Sequence, residues 1–318
     1  MSYLEHFHFD KEPFPLHSFN YIYENKKQFS IISEISDSIR FNNGIYTITG
    51  GSGVGKTFVL KQIQQRLQNN DVVVFINAND KTDILKAVSE QLMQSGSSKK
   101  QSQDDVFQLI SKIHKKGQNI ILIIDDMQEL DKSQIINLSS FLEVVGYLKV
   151  IASGNKQLKK ILRNKNYSVF KEKKVKNYHL SHLSFINAVK YINTIAVDAL
   201  SLSQYKKVIT IIPRMSIALI SNHDINHINL ITTEAIKDSY KNQQLRVEVK
   251  NIYNVMKQNG DIVKENIYFK FQKVFLYILI ILCCYFCFKL ISGRHHLIQK
   301  IEVEKSIDEQ EKSFEKLY

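Results

Sequence analysis

The stretch Gly50-Gly51-Ser52-Gly53-Val54-Gly55-Lys56-Thr57 decides the fold. It follows an apolar run, Ile45–Ile48, that reads as a strand. It precedes Phe58–Leu67, where Val59, Leu60, Ile63 and Leu67 mark one face of a helix. A glycine-rich turn from strand to helix is a phosphate-binding loop. Glycine lacks Cβ, so backbone N–H groups can close around a phosphate chain. The new helix adds the positive end of its dipole. Lys56 is placed to reach the outer phosphates of a nucleotide, and Thr57 to ligate Mg²⁺.

A second element supports the first. Ile120–Ile124 is an unbroken apolar run ending in Asp125-Asp126, about 70 residues after the loop. Such a run reads as a buried parallel strand with its carboxyl end at the ligand crevice. Asp125 is expected to hold the Mg²⁺ shell through water. Asp126 occupies the position that orients the attacking water. Val72–Ile76 and Leu148–Ala152 supply two more strands, the latter ending in Ser153-Gly154-Asn155. Asn155 is the first choice for a polar group that senses the γ-phosphate, with Ser153 second. The order suggests a P-loop ATPase of the AAA+ type, with ATP and Mg²⁺ as ligands.

Composition sets wider bounds. At 318 residues there is room for a full α/β domain and a smaller one. The formal net charge of +12 fits an anionic partner, or a proteome rich in lysine. Met1–Phe14 has no apolar core of a signal peptide. Cys283, Cys284 and Cys287 all fall in one apolar segment, without the spacing of a disulfide framework or a zinc site.

The opening adds a resemblance. Tyr3-Leu4-Glu5-His6-Phe7-His8-Phe9 is followed by Pro13-Phe14 and by Phe19-Asn20-Tyr21-Ile22-Tyr23. With Asp125-Asp126-Met127-Gln128, Gly154-Asn155-Lys156-Gln157-Leu158 and Ile212-Pro213-Arg214, residues 1–240 resemble the GspA/ExeA family of bacterial AAA+ ATPases. The resemblance implies that Arg214 is a second sensor on a helical lid, reaching back to the nucleotide. It also implies an arginine finger, but the matching stretch Phe170–Val175 has none; Lys173 is the nearest cation, and Arg163 serves only in a shifted alignment. A lysine lacks the planar fork that steadies a phosphoryl transition state. With Asp126 in place of the commoner glutamate, slow, switch-like ATP hydrolysis is expected. Lys156–Lys176 carries nine basic residues and one acid, Glu172, which suits nucleic acid, anionic lipid, a subunit contact or plain solvation.

Val274–Phe288 holds fifteen residues without a charge, and Phe269–Ile291 extends it with lysines near its ends. The expectation is one transmembrane helix with snorkelling lysines. The expected division is a P-loop core over 1–177, a lid over 178–240, a linker over 241–266, the span over 267–291 and a tail over 292–318. The chain is thus expected to be an α/β, parallel-sheet AAA+ ATPase, single-pass in a bacterial inner membrane with its ATPase domain cytoplasmic. It would form homo-oligomers and act on an envelope machine such as type II secretion or a type IV pilus. An inner-membrane or periplasmic partner would supply the cell-wall-binding module that the short tail cannot. Nucleic acid is not the expected partner. The alternatives are a DNA-interacting regulator related to transposition ATPases, or a nucleotide-bound scaffold.

Overall fold

The computed structural model describes residues 2–15, 25–69, 71–80, 83–92, 103–200 and 208–258, with 279, 280, 283–285 and 289. The chain divides into two compact units, Met1–Val255 and Met256–Tyr318. In the first unit, α1 (Tyr3–Phe7) and α2 (Lys26–Ser38) lead to β1 (Gly44–Thr49), α3 (Lys56–Leu67) and β2 (Val72–Asn77). Then come α4 (Ile84–Leu92), α5 (Gln103–Lys115), β3 (Ile120–Asp125), α6 (Lys132–Val144) and β4 (Lys149–Gly154). Next are α7 (Lys156–Ile161), α8 (Ser168–Glu172) and β5 (Lys174–His179). Four further helices follow: α9 (Phe185–Ala199), α10 (Ile211–Ile220), α11 (Ile225–Lys241) and α12 (Val249–Gln258).

The five strands form one parallel sheet in the order β2-β3-β4-β1-β5. Successive side chains of a strand point to opposite faces. Ile120, Leu122 and Ile124 therefore join the core under α4, α5 and α6, with Phe141 and Leu138. Ile121 and Ile123 join the opposite core, against Ile35 of α2 and Leu60 and Ile63 of α3. Burial on both faces explains why β3 is apolar at every position before Asp125. Each isoleucine so buried contributes about 1.5–3 kcal/mol by removal from water.

The fifth strand is a finding the sequence did not announce. Lys174–His179 reads KVKNYH and is mostly exposed, with Tyr178 buried. As an edge strand it needs no apolar run; its register against β1 supplies the order. The opening phrase has a structural role as well. Phe7, Phe9 and Phe14 are buried, Asp10 N–H donates to Ala199 O at 2.9 Å, and Thr233 Oγ1 donates to Phe14 O at 3.2 Å. The aromatic phrase thus packs on α9 and α11. Phe19–Tyr23 lies outside the described residues.

Val249–Gln258, inside the stretch expected to be a linker, is helical. Among the described residues, no helix is long and apolar enough to cross a membrane. The expected span at 267–291 and the tail at 292–318 lie almost wholly outside them. The described positions of that span, Leu279, Ile280, Cys283, Cys284, Tyr285 and Lys289, are helical and exposed.

Candidate functional site

The loop from Gly50 to Gly55 leaves the carboxyl end of β1 and opens α3. Gly53 and Gly55 take φ +64° and +89°, the left-handed region that favours glycine. Lys56 Nζ donates to Gly51 O at 2.8 Å, so the ammonium lies folded over the loop it would share with phosphate.

The acidic strand end meets this loop although β3 and β1 are not neighbours. Strand β4 lies between them and fills the gap with Ser153. Thr57 Oγ1 donates to Asp125 Oδ2 at 2.6 Å. Ser153 Oγ donates to the other oxygen, Asp125 Oδ1, and accepts from Asp126 N–H at 3.0 Å. Asp125 is buried within this hydroxyl clasp. The polar side chain of β4 at the cluster is therefore Ser153. Asn155, the first choice from sequence, caps α7: its Oδ1 accepts from Gln157 N–H at 2.7 Å. The physical reason is local, since an Asn just before a helix satisfies a free amide of the first turn.

Asp126 has φ +49°, a conformation a non-glycine residue adopts at some cost. Two amides hold its carboxylate. Asn79 Nδ2 donates to Oδ2 at 3.3 Å, and Gln128 Nε2 donates to Oδ1 at 3.3 Å. Gln128 Oε1 in turn accepts from Asn155 N–H at 3.1 Å.

The start of α11 reaches the loop through Asp224 and Ile225. Ile225 N–H donates to Gly53 O at 3.1 Å, and a methyl group placed on Gly53 would overlap the Asp224 carboxylate. Asp224 Oδ1 caps α11 by accepting from Asn226 and His227 N–H at 2.9 and 3.2 Å. On the core side, Gln28 Nε2 donates to Val54 O at 3.0 Å. His223, beside Asp224, has its imidazole pKa pushed down by burial and further by the charge of His182. Arg214 is buried on α10, with Nε donating to Thr210 O at 3.2 Å and Nη1 donating to Asn193 Oδ1. These two partners lie on α9 and just before α10.

The residues present fit a nucleotide and its metal. The loop supplies amides without Cβ, Lys56 a cation, and Thr57 and Asp125 a hydroxyl–carboxylate pair. Among the described residues no group of three His, Cys, Asp or Glu side chains could hold a metal ion by itself. That suits Mg²⁺, which keeps water and phosphate ligands and takes few from protein.

Residues 39–162 match the family model of an AAA domain. Solved structures agree in fold. Cdc6p from Pyrobaculum aerophilum superposes with TM-score 0.63 at 14% identity, over 76% of this chain and 70% of that one. The Aeropyrum pernix ORC1 protein in complex with DNA gives 0.57 at 14%, over 73% and 64%. The Thermotoga maritima RuvB Holliday junction branch migration motor gives 0.51 at 14%, over 78% and 73%. No curated protein matches the chain. The first unit thus has the α/β P-loop AAA+ fold with a five-stranded parallel sheet.

Four residues that touch this AAA+ site carry no signal readable from sequence alone: Gln28, Asn79, Gln128 and Asp224. Gln28 and Asn79 reach the site by side-chain bonds from distant segments, Gln128 bridges Asp126 and the Asn155 amide, and Asp224 packs against Gly53 while it caps α11. Gln128 alone stood in a quoted motif, as the last residue of Asp125-Asp126-Met127-Gln128, without a role.

Proposed function

We propose that this protein is an ATP-binding switch that hydrolyses ATP slowly and works from a membrane. The observation that carries the nucleotide part is the clasp of Thr57 and Ser153 on Asp125 beside the glycine loop. Lys56 and the loop amides bind the phosphates, while Thr57 and Asp125 hold the metal. Bound Mg²⁺ supplies charge neutralisation at the phosphates. Asp126, once released from its amide partners, accepts a hydrogen bond from the attacking water and orients it. Asn79 and Gln128 keep that carboxylate restrained, and with no arginine in Phe170–Val175 this favours slow turnover. The lid contact at Gly53 gives the nucleotide a lever on α11, and homo-oligomers are the expected assembly.

The membrane part rests on sequence. The uncharged run Val274–Phe288 and the resemblance of the opening phrase to the GspA/ExeA family support an inner-membrane anchor, a cytoplasmic ATPase domain and a role in assembling an envelope machine. A partner chain would then carry the wall-binding module. The test is fractionation in carbonate with ATP turnover measured on the same preparation. Membrane retention that is lost in Leu279→Arg, with turnover below about one per second, is the expected result; an arginine at mid-bilayer costs several kcal/mol. A chain that washes off membranes overturns the anchor. Turnover unaffected by Lys56→Ala overturns the ATPase assignment.

A second reading is a DNA-interacting ATPase. It draws on the exposed cations Lys156, Lys159, Lys160, Arg163 and Lys165 and on the DNA complex named for the ORC1 protein. Salt-sensitive binding to duplex DNA by a carbonate-soluble chain would put this reading first.

A further inference from the structure

The strands are parallel, so all five amino ends lie at one edge and the nucleotide loop at the other. Three turns enter adjacent strands β4, β1 and β5 at the amino edge. Beside these turns stand Val144, the last residue of α6, Phe41, on the turn into β1, and Val175, the second residue of β5, which are 68%, 87% and 40% exposed. Singly exposed apolar residues are ordinary. All three belong to the segments that lead into these adjacent strands or begin them.

The turns are tied into one surface. Lys149 Nζ donates to Ile39 O and Arg40 O at 2.7 Å, which joins the start of β4 to the turn holding Phe41. Lys173 Nζ donates to Leu142 O, which joins the start of β5 to the end of α6. Val175 lies against Gly44 at the start of β1. The Tyr147 ring stacks on His114 at 3.8 Å, which brings in the end of α5.

The segments at this edge carry the exposed lysines Lys115, Lys116, Lys171 and Lys174, with Lys173 half-buried. Asp37, Glu143 and Glu172 are exposed acids on these elements, and a further one, Glu34 of α2, pairs with the exposed Lys176 of β5. Asp71 is buried and pairs with Arg40 at 3.5 Å. With Glu34 neutralised by Lys176, cations remain in excess on the elements that carry the three exposed apolar residues. That is the pattern of a bilayer interface, where apolar side chains enter the acyl boundary and ammonium groups meet anionic headgroups.

We propose that the amino edge of the sheet docks on an anionic lipid surface through Phe41, Val144 and Val175, with Lys171 and Lys174 beside them. The nucleotide loop then faces away from the bilayer, about 20 Å off along six-residue strands. The proposal shares the membrane setting of the function proposed above, and its test separates the two.

The chain contains no tryptophan, so Phe41→Trp in the full chain gives a single reporter. It is incorporated into vesicles of phosphatidylcholine with or without phosphatidylglycerol, some bearing doxyl-labelled lipid. Lys132→Trp, at the opposite edge, is the control. The expected result is a blue shift and loss of most emission for Phe41→Trp in phosphatidylglycerol vesicles only. The control is unchanged, and adding Lys171→Glu and Lys174→Glu restores the emission. ATP titration of each chain verifies folding. Flotation in carbonate reads the anchor separately: a chain that floats unquenched overturns the docked edge alone. One that binds phosphatidylglycerol vesicles quenched but washes off supports the edge and overturns the anchor. Equal quenching in neutral vesicles, equal quenching of the control, or a shift produced by duplex DNA instead of lipid overturns the proposal.

Discussion

Asp224 of the lid lies against Gly53 of the phosphate loop, at the position a β-carbon would occupy. The same carboxylate caps α11, so it is held by two backbone amides and cannot simply swing away. Loop conformation and lid position are therefore linked by one side chain. Gly53→Ala adds a left-handed strain of about 1–2 kcal/mol and displaces Asp224. The expected outcome is a loss of ATP affinity of tenfold or more with faster amide exchange in the first turn of α11. Unchanged exchange there would mean that the lid does not rest on the loop in solution.

Lys56 is folded onto the loop carbonyl of Gly51 and has to exchange that partner for phosphate. Lys56→Ala is expected to weaken ATP at least tenfold, about 1.4 kcal/mol, in titration calorimetry. Equal affinity in the two chains would remove the loop from the binding site.

The Asp126 carboxylate is restrained by Asn79 and Gln128. Asp126→Asn is expected to abolish most turnover while ATP affinity stays within a few-fold, trapping the bound state. Asn79→Ala should instead raise kcat a few-fold, because it frees one carboxylate oxygen without touching the phosphate ligands. A fall in affinity with no change in kcat would assign Asn79 to binding.

Lys149 is a buried lysine that donates to two carbonyls at the end of α2. Lys149→Met leaves them without that donor and is expected to cost about 1–3 kcal/mol in urea unfolding. Burial pushes the ammonium pKa down, partly offset by the charge of Asp71. A base whose folded pKa lies below its unfolded value binds more protons when unfolded. This group therefore makes stability rise with pH in the window between its folded pKa and the ordinary lysine value. Between pH 8 and pH 11 the native chain should gain stability relative to Lys149→Met, so that the two stability curves diverge as pH rises. Parallel curves would show that Lys149 does not titrate in a shifted range.

Much of the fold was legible because its signals are local. A run such as Ile120–Ile124 can only be buried on both faces, and a glycine loop between strand and helix needs no partner to be recognised. The edge strand was illegible, because Lys174–His179 carries the polar residues of a solvated surface. The candidate site divided in the same way. The loop, Thr57 and Asp125 could be named from spacing, whereas the choice between Ser153 and Asn155 could not, since both stand at the carboxyl end of the same apolar run.

The sequence by itself pointed to the phosphate loop, the acidic strand end and the buried strand before it, because each depends on neighbours within a few residues or on burial alone. The tertiary structure decided which polar group joins Asp125, what restrains Asp126, and that Asp224 reaches Gly53. Those contacts depend on strand order, with β4 inserted between β1 and β3, and on the packing of lid helices more than a hundred residues away. A hydrogen bond is set by positions to a fraction of an ångström, and only the packed chain specifies them.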